Sequence, residues 1–176
     1  MRVETLRPGA EFPGPEEVAQ LYALASSGPP LFESADVAAM LATLYDLSLD
    51  REDLLVVEAR KAGELIGFGY GHPWRWAEQT DEWSAALKAG LGGAAAELDD
   101  AFAVQLVAVH PAHVRQGLGF ELLKRIMIGS AARVHWVQAT DVDSPATRLF
   151  RRMGYRRLGP GPQAPNGAPG IVLSHG

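Results

Sequence analysis

Val107-Ala108-Val109-His110-Pro111-Ala112-His113-Val114-Arg115-Gln116-Gly117-Leu118-Gly119-Phe120-Glu121-Leu122-Leu123 reads as a buried strand running into a short loop, then a helix whose first turn holds two glycines. Helix interiors disfavour glycine by about 1 kcal/mol against alanine. Paired glycines at a helix start therefore signal that something must approach the backbone closely. There the first N–H groups lack intrahelical partners and the helix dipole is positive. A pyrophosphate suits that place, with Arg115 adding a charge-assisted contact. Leu118, Leu122 and Ile126, with Leu123 and Met127, give the helix a buried stripe. The plainer reading is a tight strand-to-helix turn whose glycines serve packing alone. A dinucleotide fold competes too, because Asp141 lies at about the right distance for a ribose carboxylate. Against it, Leu122 replaces the third glycine of that fingerprint, and the loop from Val109 is long for its immediate strand–helix turn. A Walker loop would need a Gly-Lys-Ser/Thr ending that is missing here.

Working outward, Val3 and Leu6 mark a first strand closed by Pro8-Gly9. Three/four apolar spacing predicts helices over 15–25 (Pro15, Val18, Leu21, Tyr22, Leu24) and 35–47 (Val37, Met40, Leu41, Leu44, Tyr45). Pro15 is tolerated in a first helical turn, and Ser26-Ser27-Gly28-Pro29-Pro30 separates the two helices. Strands over 54–60 and 64–71 flank the turn Lys61-Ala62-Gly63 and form a hairpin. The second of these strands is rich in glycine, which lets a backbone or a ligand come near. Residues 72–100 look like an insertion, with a tryptophan-rich start, an apolar-periodic middle and an acidic end. Ala101–Val109 is the strand feeding the glycine loop, whose helix runs through Met127. A strand over 133–140, a helix from Ser144 to Met153 and a short strand at 155–158 follow. A Pro/Gly-rich loop, 159–170, precedes a last strand at 171–173. This order predicts a mixed sheet with helices on both faces.

The chain has 176 residues, 47% of them hydrophobic, enough for one well-buried domain and short for two. No apolar run reaches the roughly 18 residues that span a bilayer. Met1-Arg2-Val3-Glu4-Thr5-Leu6-Arg7 lacks the apolar core of a secretory signal, so a cytoplasmic protein is expected. The absence of cysteine excludes a thiolate nucleophile, a disulfide framework and a cysteine-ligated zinc. The histidines show no His-x-x-x-His pair, and no metal is expected. A formal charge of −5 disfavours nucleic acid as the main ligand and tolerates a cationic amine.

Asp141-Val142-Asp143-Ser144-Pro145-Ala146-Thr147-Arg148-Leu149-Phe150-Arg151-Arg152-Met153-Gly154-Tyr155 is a second informative stretch. Ser144 is a good N-cap, Pro145 suits the first helical position and Gly154 is a natural stop. Ala146, Leu149, Phe150 and Met153 make one apolar face. Taken alone, this is a short amphipathic helix docked on a sheet.

Together the two stretches closely resemble the motifs of the GNAT superfamily of acyl-CoA N-acyltransferases. In that family an apolar strand and Val-x-Pro (here Val109-His110-Pro111) lead through a basic loop to Gln/Arg-x-Gly-x-Gly/Ala (here Arg115-Gln116-Gly117-Leu118-Gly119). The resemblance extends over the whole element order and is weakest at 72–100. It implies one α/β (α+β) domain over 1–176, with a mixed, mostly antiparallel twisted sheet and helices on both faces. It further implies that backbone groups of Val107, Ala108 and Val109 pair with the pantetheine arm of acetyl-CoA or another acyl-CoA. The amides of Arg115, Gln116, Gly117, Leu118, Gly119 and Phe120 would cradle the pyrophosphate. Val114 stands where many members carry arginine or glutamine, which removes a side-chain contact but leaves the backbone cradle.

The second stretch is similar to the family's Asn-x-x-Ala-x-x-x-Tyr-x-x-x-Gly-Phe signature. Asp143 then takes the asparagine position that contacts coenzyme A, and Phe150 takes the tyrosine position near the leaving sulfur. Phenylalanine has no proton to give, so the family's tyrosine acid is missing. The reaction implied is direct attack of a neutral primary amine on the thioester, with an oxyanion held by a strand N–H in 107–109. Gln105 and Gln138 fall where relatives often carry glutamate, and an amide cannot accept the amine's proton. His72, Glu97, Asp99, Asp100 and Asp141 are base candidates by position only, each with a solvated or capping role as its plainer explanation. Trp74, Trp76 and Trp83, with His72 and Asp141, would border the acceptor pocket beside the loop 159–170; equally, the tryptophans pack the insertion onto the core. The expected partner is a small-molecule or peptide amine, and a homodimer is compatible with this reading. Two further classes stay open: a GNAT-fold acyl-CoA-binding or regulatory module without turnover, and a nucleotide-dependent oxidoreductase.

Overall fold

The computed structural model describes residues 1–176. Seven strands form one sheet: β1 (Arg2–Leu6), β2 (Leu55–Lys61), β3 (Glu64–Pro73), β4 (Phe102–Val109), β5 (His135–Thr140), β6 (Arg156–Gly161) and β7 (Gly170–His175). Five helices accompany them: α1 (Pro15–Ser26), α2 (Ala35–Ser48), α3 (Glu82–Leu91), α4 (Leu118–Ser130) and α5 (Pro145–Arg152). The spatial order is β1-β2-β3-β4-β5-β7-β6, and only the β4–β5 pairing is parallel. That sheet is the mixed, mostly antiparallel one expected. It also rules out the dinucleotide fold, whose strands run parallel. No helix is long and apolar enough to cross a membrane.

The β2–β3 hairpin closes one residue tighter than the sequence suggests. Lys61 pairs with Glu64, leaving Ala62 (φ 51) and Gly63 (φ 88) as a two-residue turn of the kind that matches strand twist. Gly67 and Gly69 of β3 make room for a helix rather than a ligand. A Cβ on Gly67 would stand 3.1 Å from both Leu118 and Leu122, and one on Gly69 would stand 2.8 Å from Ile126. The apolar stripe of α4 thus lies directly on β3, in a core shared with Leu55, Val57, Val104 and Val137.

On the opposite face α1 and α2 cover Leu54, Val56, Phe68, Leu106 and Ala108. Their inward stripes differ from the expected ones. Ala38, Ala42 and Tyr45 of α2 are buried, whereas Met40, Leu44 and, on α1, Leu24 point outward. Tyr45 sets the orientation. Its ring packs at 5.0 Å against both Phe68 and Tyr70, and its hydroxyl donates to the Pro13 carbonyl at 2.9 Å. The alanines let the helix approach closely enough for that packing.

Residues 72–100 contain a helix the sequence left unplaced. Asp81 caps α3 by accepting from Ser84 N–H at 2.9 Å, and Gly92 (φ 55) ends it. Leu87, Leu91, Ala95 and Leu98 bury Trp74 and Trp136 in a third cluster. The last strands run longer than expected. β6 continues through Gly159 and Pro160, because an edge strand accommodates proline and Gly159 leaves space for Leu91, which a Cβ would meet at 2.9 Å. The Pro/Gly-rich loop therefore shrinks to 162–169.

Candidate active site

Three residue pairs join β4 to β5: Phe102–His135, Ala103–Trp136 and Val104–Val137. Beyond them the strands part. β4 stays with β3 out to Val109, paired with Gly67, while β5 follows β7 out to Thr140, paired with Gly170. Residues 105–109 and 138–140 consequently border a wedge in which backbone groups on the facing edges have no ladder partner. A bulge sits at its root. Tyr70 pairs with Leu106 and Gly71 with Val104, leaving Gln105 unmatched. Only glycine fits at position 71, since a Cβ would stand 2.2 Å from the Ala103 carbonyl oxygen. The bulge also resets the side-chain alternation. Phe102, Val104, Val107 and Val109 join the α4 face, whereas Leu106 and Ala108 join the α1–α2 face.

At the open end of the wedge, His110 N–H donates to the Ile66 carbonyl at 2.8 Å and a short turn over Pro111–His113 follows. His110 Nδ1 accepts from Ala112 N–H at 3.1 Å, and Gln116 Nε2 donates to the Ala112 carbonyl at 3.3 Å. Arg115 (φ 62) and Gly117 (φ 79) adopt left-handed conformations that swing the chain into α4. From Arg115 onward, the first amide to find a backbone acceptor is that of Glu121, which donates to the Gly117 carbonyl at 3.0 Å. The N–H groups of 115–120 are thus left for another acceptor, at the positive end of a full-length helix.

The two glycines have different tasks. A Cβ on Gly117 would meet nothing within 4 Å, so this residue supplies backbone shape and open space. One on Gly119 would meet Leu149 at 3.2 Å, so that glycine lets α5 dock. An anionic phosphate group fits this nest, with exposed Arg115 beside it.

The second motif folds as its sequence suggests at its start. Ser144 Oγ accepts from Thr147 N–H at 3.1 Å, and Thr147 Oγ1 accepts from Ser144 N–H at 2.9 Å. Because Thr147 turns inward to make this box, it takes the buried position and Ala146 is exposed, contrary to expectation. Phe150 is 3% exposed and meets Tyr155 edge-on at 5.2 Å. Tyr155 offers no replacement acid, since burial pushes its phenol far up and its hydroxyl has no partner. Asp143 is exposed and pairs with Arg148 at 2.8 Å.

The acceptor-side candidates separate cleanly. Asp99 caps the turn after β3 by accepting from Trp76 N–H at 3.0 Å. Asp100 pairs with Arg75 and Asp141 with Arg157, while Glu97 is exposed. Those are the solvated and capping roles expected of them. Trp74 is 4% exposed and stacks edge-on against Trp136 at 5.0 Å, so it packs the insertion onto the sheet and presents little surface to an acceptor. Trp76 donates to the Ala95 carbonyl at 2.8 Å and carries Lys88 over its ring; Trp83 is 41% exposed. Gln138 does not point freely into the wedge. Its amide donates to the Pro162 carbonyl at 2.8 Å, in a slot left by Gly161 and Gly170.

His72 differs from the other candidates. It is 8% exposed, with Nδ1 2.9 Å from the Pro73 carbonyl and Nε2 3.4 Å from the Gln105 amide nitrogen. Burial depresses its pKa below the ordinary histidine value, with Arg51 acting in the same direction. Sequence reasoning missed one element on this side. Glu33, also buried, accepts from the Tyr22 hydroxyl at 2.5 Å, and Asn166 donates to the Leu31 carbonyl at 3.1 Å. These contacts tie the α1–α2 loop to α1 and to the β6–β7 loop. Only the Pro29-Pro30 pair marks this loop as shaped, and nothing in the sequence announces its partners. No group of three or more histidine, aspartate or glutamate side chains is close enough to hold a metal.

A sheet that parts between two parallel strands, with an anion nest at the helix following the first, is the arrangement that the resemblance to GNAT acyltransferases implies. The chain belongs to the acetyltransferase (GNAT) family, whose model matches residues 18–155. Solved structures agree in fold across nearly the whole chain. A GNAT-family acetyltransferase from Desulfovibrio desulfuricans superposes with a TM-score of 0.66 at 17% identity, covering 99% of this chain and 98% of its own. An aminoglycoside 6'-N-acetyltransferase complexed with coenzyme A gives 0.63 at 13% identity, covering 99% and 96%. The ribosomal-protein-S18-alanine N-acetyltransferase of Escherichia coli gives 0.57 at 13% identity, covering 98% and 92%. No curated protein matches the sequence.

Proposed function

We propose that this protein transfers an acetyl group from acetyl-CoA to a primary amine by direct attack. The observation that carries the reading is the run of unpartnered amides at 115–120, set at the mouth of the β4–β5 wedge. When bound, acetyl-CoA supplies an activated thioester. The amides of Arg115 to Phe120 hold its pyrophosphate, with the α4 dipole and the Arg115 guanidinium adding attraction. The free backbone edge of β4 at Val107, Ala108 and Val109 pairs with the pantetheine arm. A strand N–H there stabilises the oxyanion.

Asp143 and Phe150 have smaller parts than in relatives that carry asparagine and tyrosine. Asp143 is committed to Arg148, and Phe150 supplies only apolar packing. Departure of the thiolate therefore relies on water or on the modest basicity of a thiol of pKa about 8.5. The acceptor enters from the α1–α2 side, between the tied loops and His72. Proteins of this fold include an aminoglycoside 6'-N-acetyltransferase and a ribosomal-protein-S18-alanine N-acetyltransferase, so both kinds of amine belong in the test.

Thiol release from acetyl-CoA should be measured across kanamycin, spermidine and an Ala-initiated peptide, beside calorimetric titration with acetyl-CoA. Binding with turnover of at least one amine is expected. Binding without thiol release from any amine would favour the non-catalytic acyl-CoA-binding module. Gly117→Glu should abolish binding by placing bulk and negative charge in the nest, and unchanged affinity would refute the site.

A further inference from the structure

We infer that His72 is the group that takes the proton from the attacking amine, with Gln105 as its positioning residue. The assignment rests on the transferase reading above and selects one of the base candidates that the sequence offered by position only.

The tautomer follows from the contacts. The Pro73 carbonyl can only accept, so His72 Nδ1, 2.9 Å away, carries the hydrogen. The lone pair of neutral imidazole is then on Nε2. Gln105 meets it at 3.4 Å with an amide N–H, the correct complement. Gln105 is the bulged residue of β4, adjacent to Val104–Val137, the last pair before the strands part. The bulge therefore sets the His72 lone pair at the root of the wedge. The long Gln105 contact is weak enough for a substrate N–H to replace.

Charge around the ring is of both signs. Arg51 and Asp53 approach from the segment before β2, and Glu78 from the turn after β3; Arg51 opposes protonation while the two carboxylates favour it. Burial outweighs them and keeps the ring neutral, hence able to accept, at pH 7. The other candidates are capped, paired or exposed.

The step balances as follows. The amine lone pair forms the C–N bond and the carbonyl π pair moves to oxygen. The N–H proton passes to Nε2, giving imidazolium. Collapse re-forms the carbonyl, and the C–S bond breaks with its electron pair leaving on sulfur. The proton then returns from imidazolium, through water, to the thiolate.

The test combines histidine titration by NMR in the free protein with the pH dependence of kcat for the fastest amine of the panel. His72, assigned by its loss in His72→Gln, should titrate below about 6.5, the ordinary value, as the Nδ1–H tautomer. Gln105→Leu should raise that value, because removing a donor from the lone pair favours protonation. His72→Gln should lower kcat about a hundredfold or more and remove the acid limb, with acetyl-CoA affinity unchanged. An Nε2–H tautomer, a titration unmoved by Gln105→Leu, or an acid limb retained in His72→Gln would each overturn the assignment. The NMR arms decide it even where His72→Gln fails to fold. Wild-type protein that binds acetyl-CoA but acetylates no amine would instead overturn the transferase reading, and this one with it.

Discussion

Gly69 lies directly beneath Ile126, so close that a Cβ on the glycine would stand 2.8 Å from Ile126 Cδ1. This contact fixes the height of α4 above β3, and so the position of the nest at the helix's other end. Gly69→Val should lower stability by about 1–3 kcal/mol through overpacking, and should weaken acetyl-CoA binding as α4 lifts. Urea denaturation and calorimetry measure the two effects. Gly93→Ala, where a Cβ meets nothing within 4 Å, serves as the control and should stay within about 0.5 kcal/mol of wild type.

The glycines of the nest should separate in the same way. Gly117→Ala puts a side chain at φ 79 without a clash and should cost about 1–2 kcal/mol. Gly119→Ala gains helix propensity of about 1 kcal/mol but meets Leu149 at 3.2 Å. Its net effect on stability should be smaller, with a loosened α5 seen as faster amide exchange at Arg148. Equal losses for both variants would contradict the division of roles.

The difference between these glycines shows what the sequence could and could not reveal. Spacing from Pro111 marked the loop, yet both glycines look alike in one dimension. Their distinct tasks come from Leu149, thirty positions on, and from open solvent. Element order was legible because Val, Leu and Ala periodicities report burial locally. The wedge was not, since it depends on β4 and β5 parting after Val104–Val137. His72 and Gln105 meet only because the bulge at Gln105 turns one side chain toward the other. Trp74 stayed open for the opposite reason: tryptophan suits an acceptor pocket and a core equally, and only its packing with Leu87, Leu91 and Trp136 shows the core role.

Gln138 holds the β6–β7 loop by its single bond to the Pro162 carbonyl at 2.8 Å. Gln138→Leu should cost about 0.5–1.5 kcal/mol, the net worth of one hydrogen bond. Amide exchange should accelerate at Ala164 and Gly167, whose N–H groups close that loop. Activity should survive, because an amide already tied to Pro162 is not positioned to carry a proton. Loss of turnover with unchanged exchange would assign Gln138 to the chemistry instead.

Acid should destabilise the fold through its buried imidazoles. His135 is 3% exposed, with Nε2 2.7 Å from Ser130 Oγ and Nδ1 buried without a partner. Burial lowers its pKa, and neighbouring His175, whose ring lies 6.3 Å away, adds to the effect. His72 is lowered as well, again chiefly by burial. Between the folded pKa and the unfolded value of about 6.5, the unfolded chain binds more protons than the native one. Stability therefore rises with pH across that window; it is complete above it and lost as pH falls through the folded values. The melting temperature of wild type should decline from pH 7 to pH 5. His135→Gln, which keeps a partner for Ser130 but cannot titrate, should show a shallower decline over the same range. Parallel curves for the two proteins would mean that His135 binds its proton as readily in the native state as in the unfolded chain.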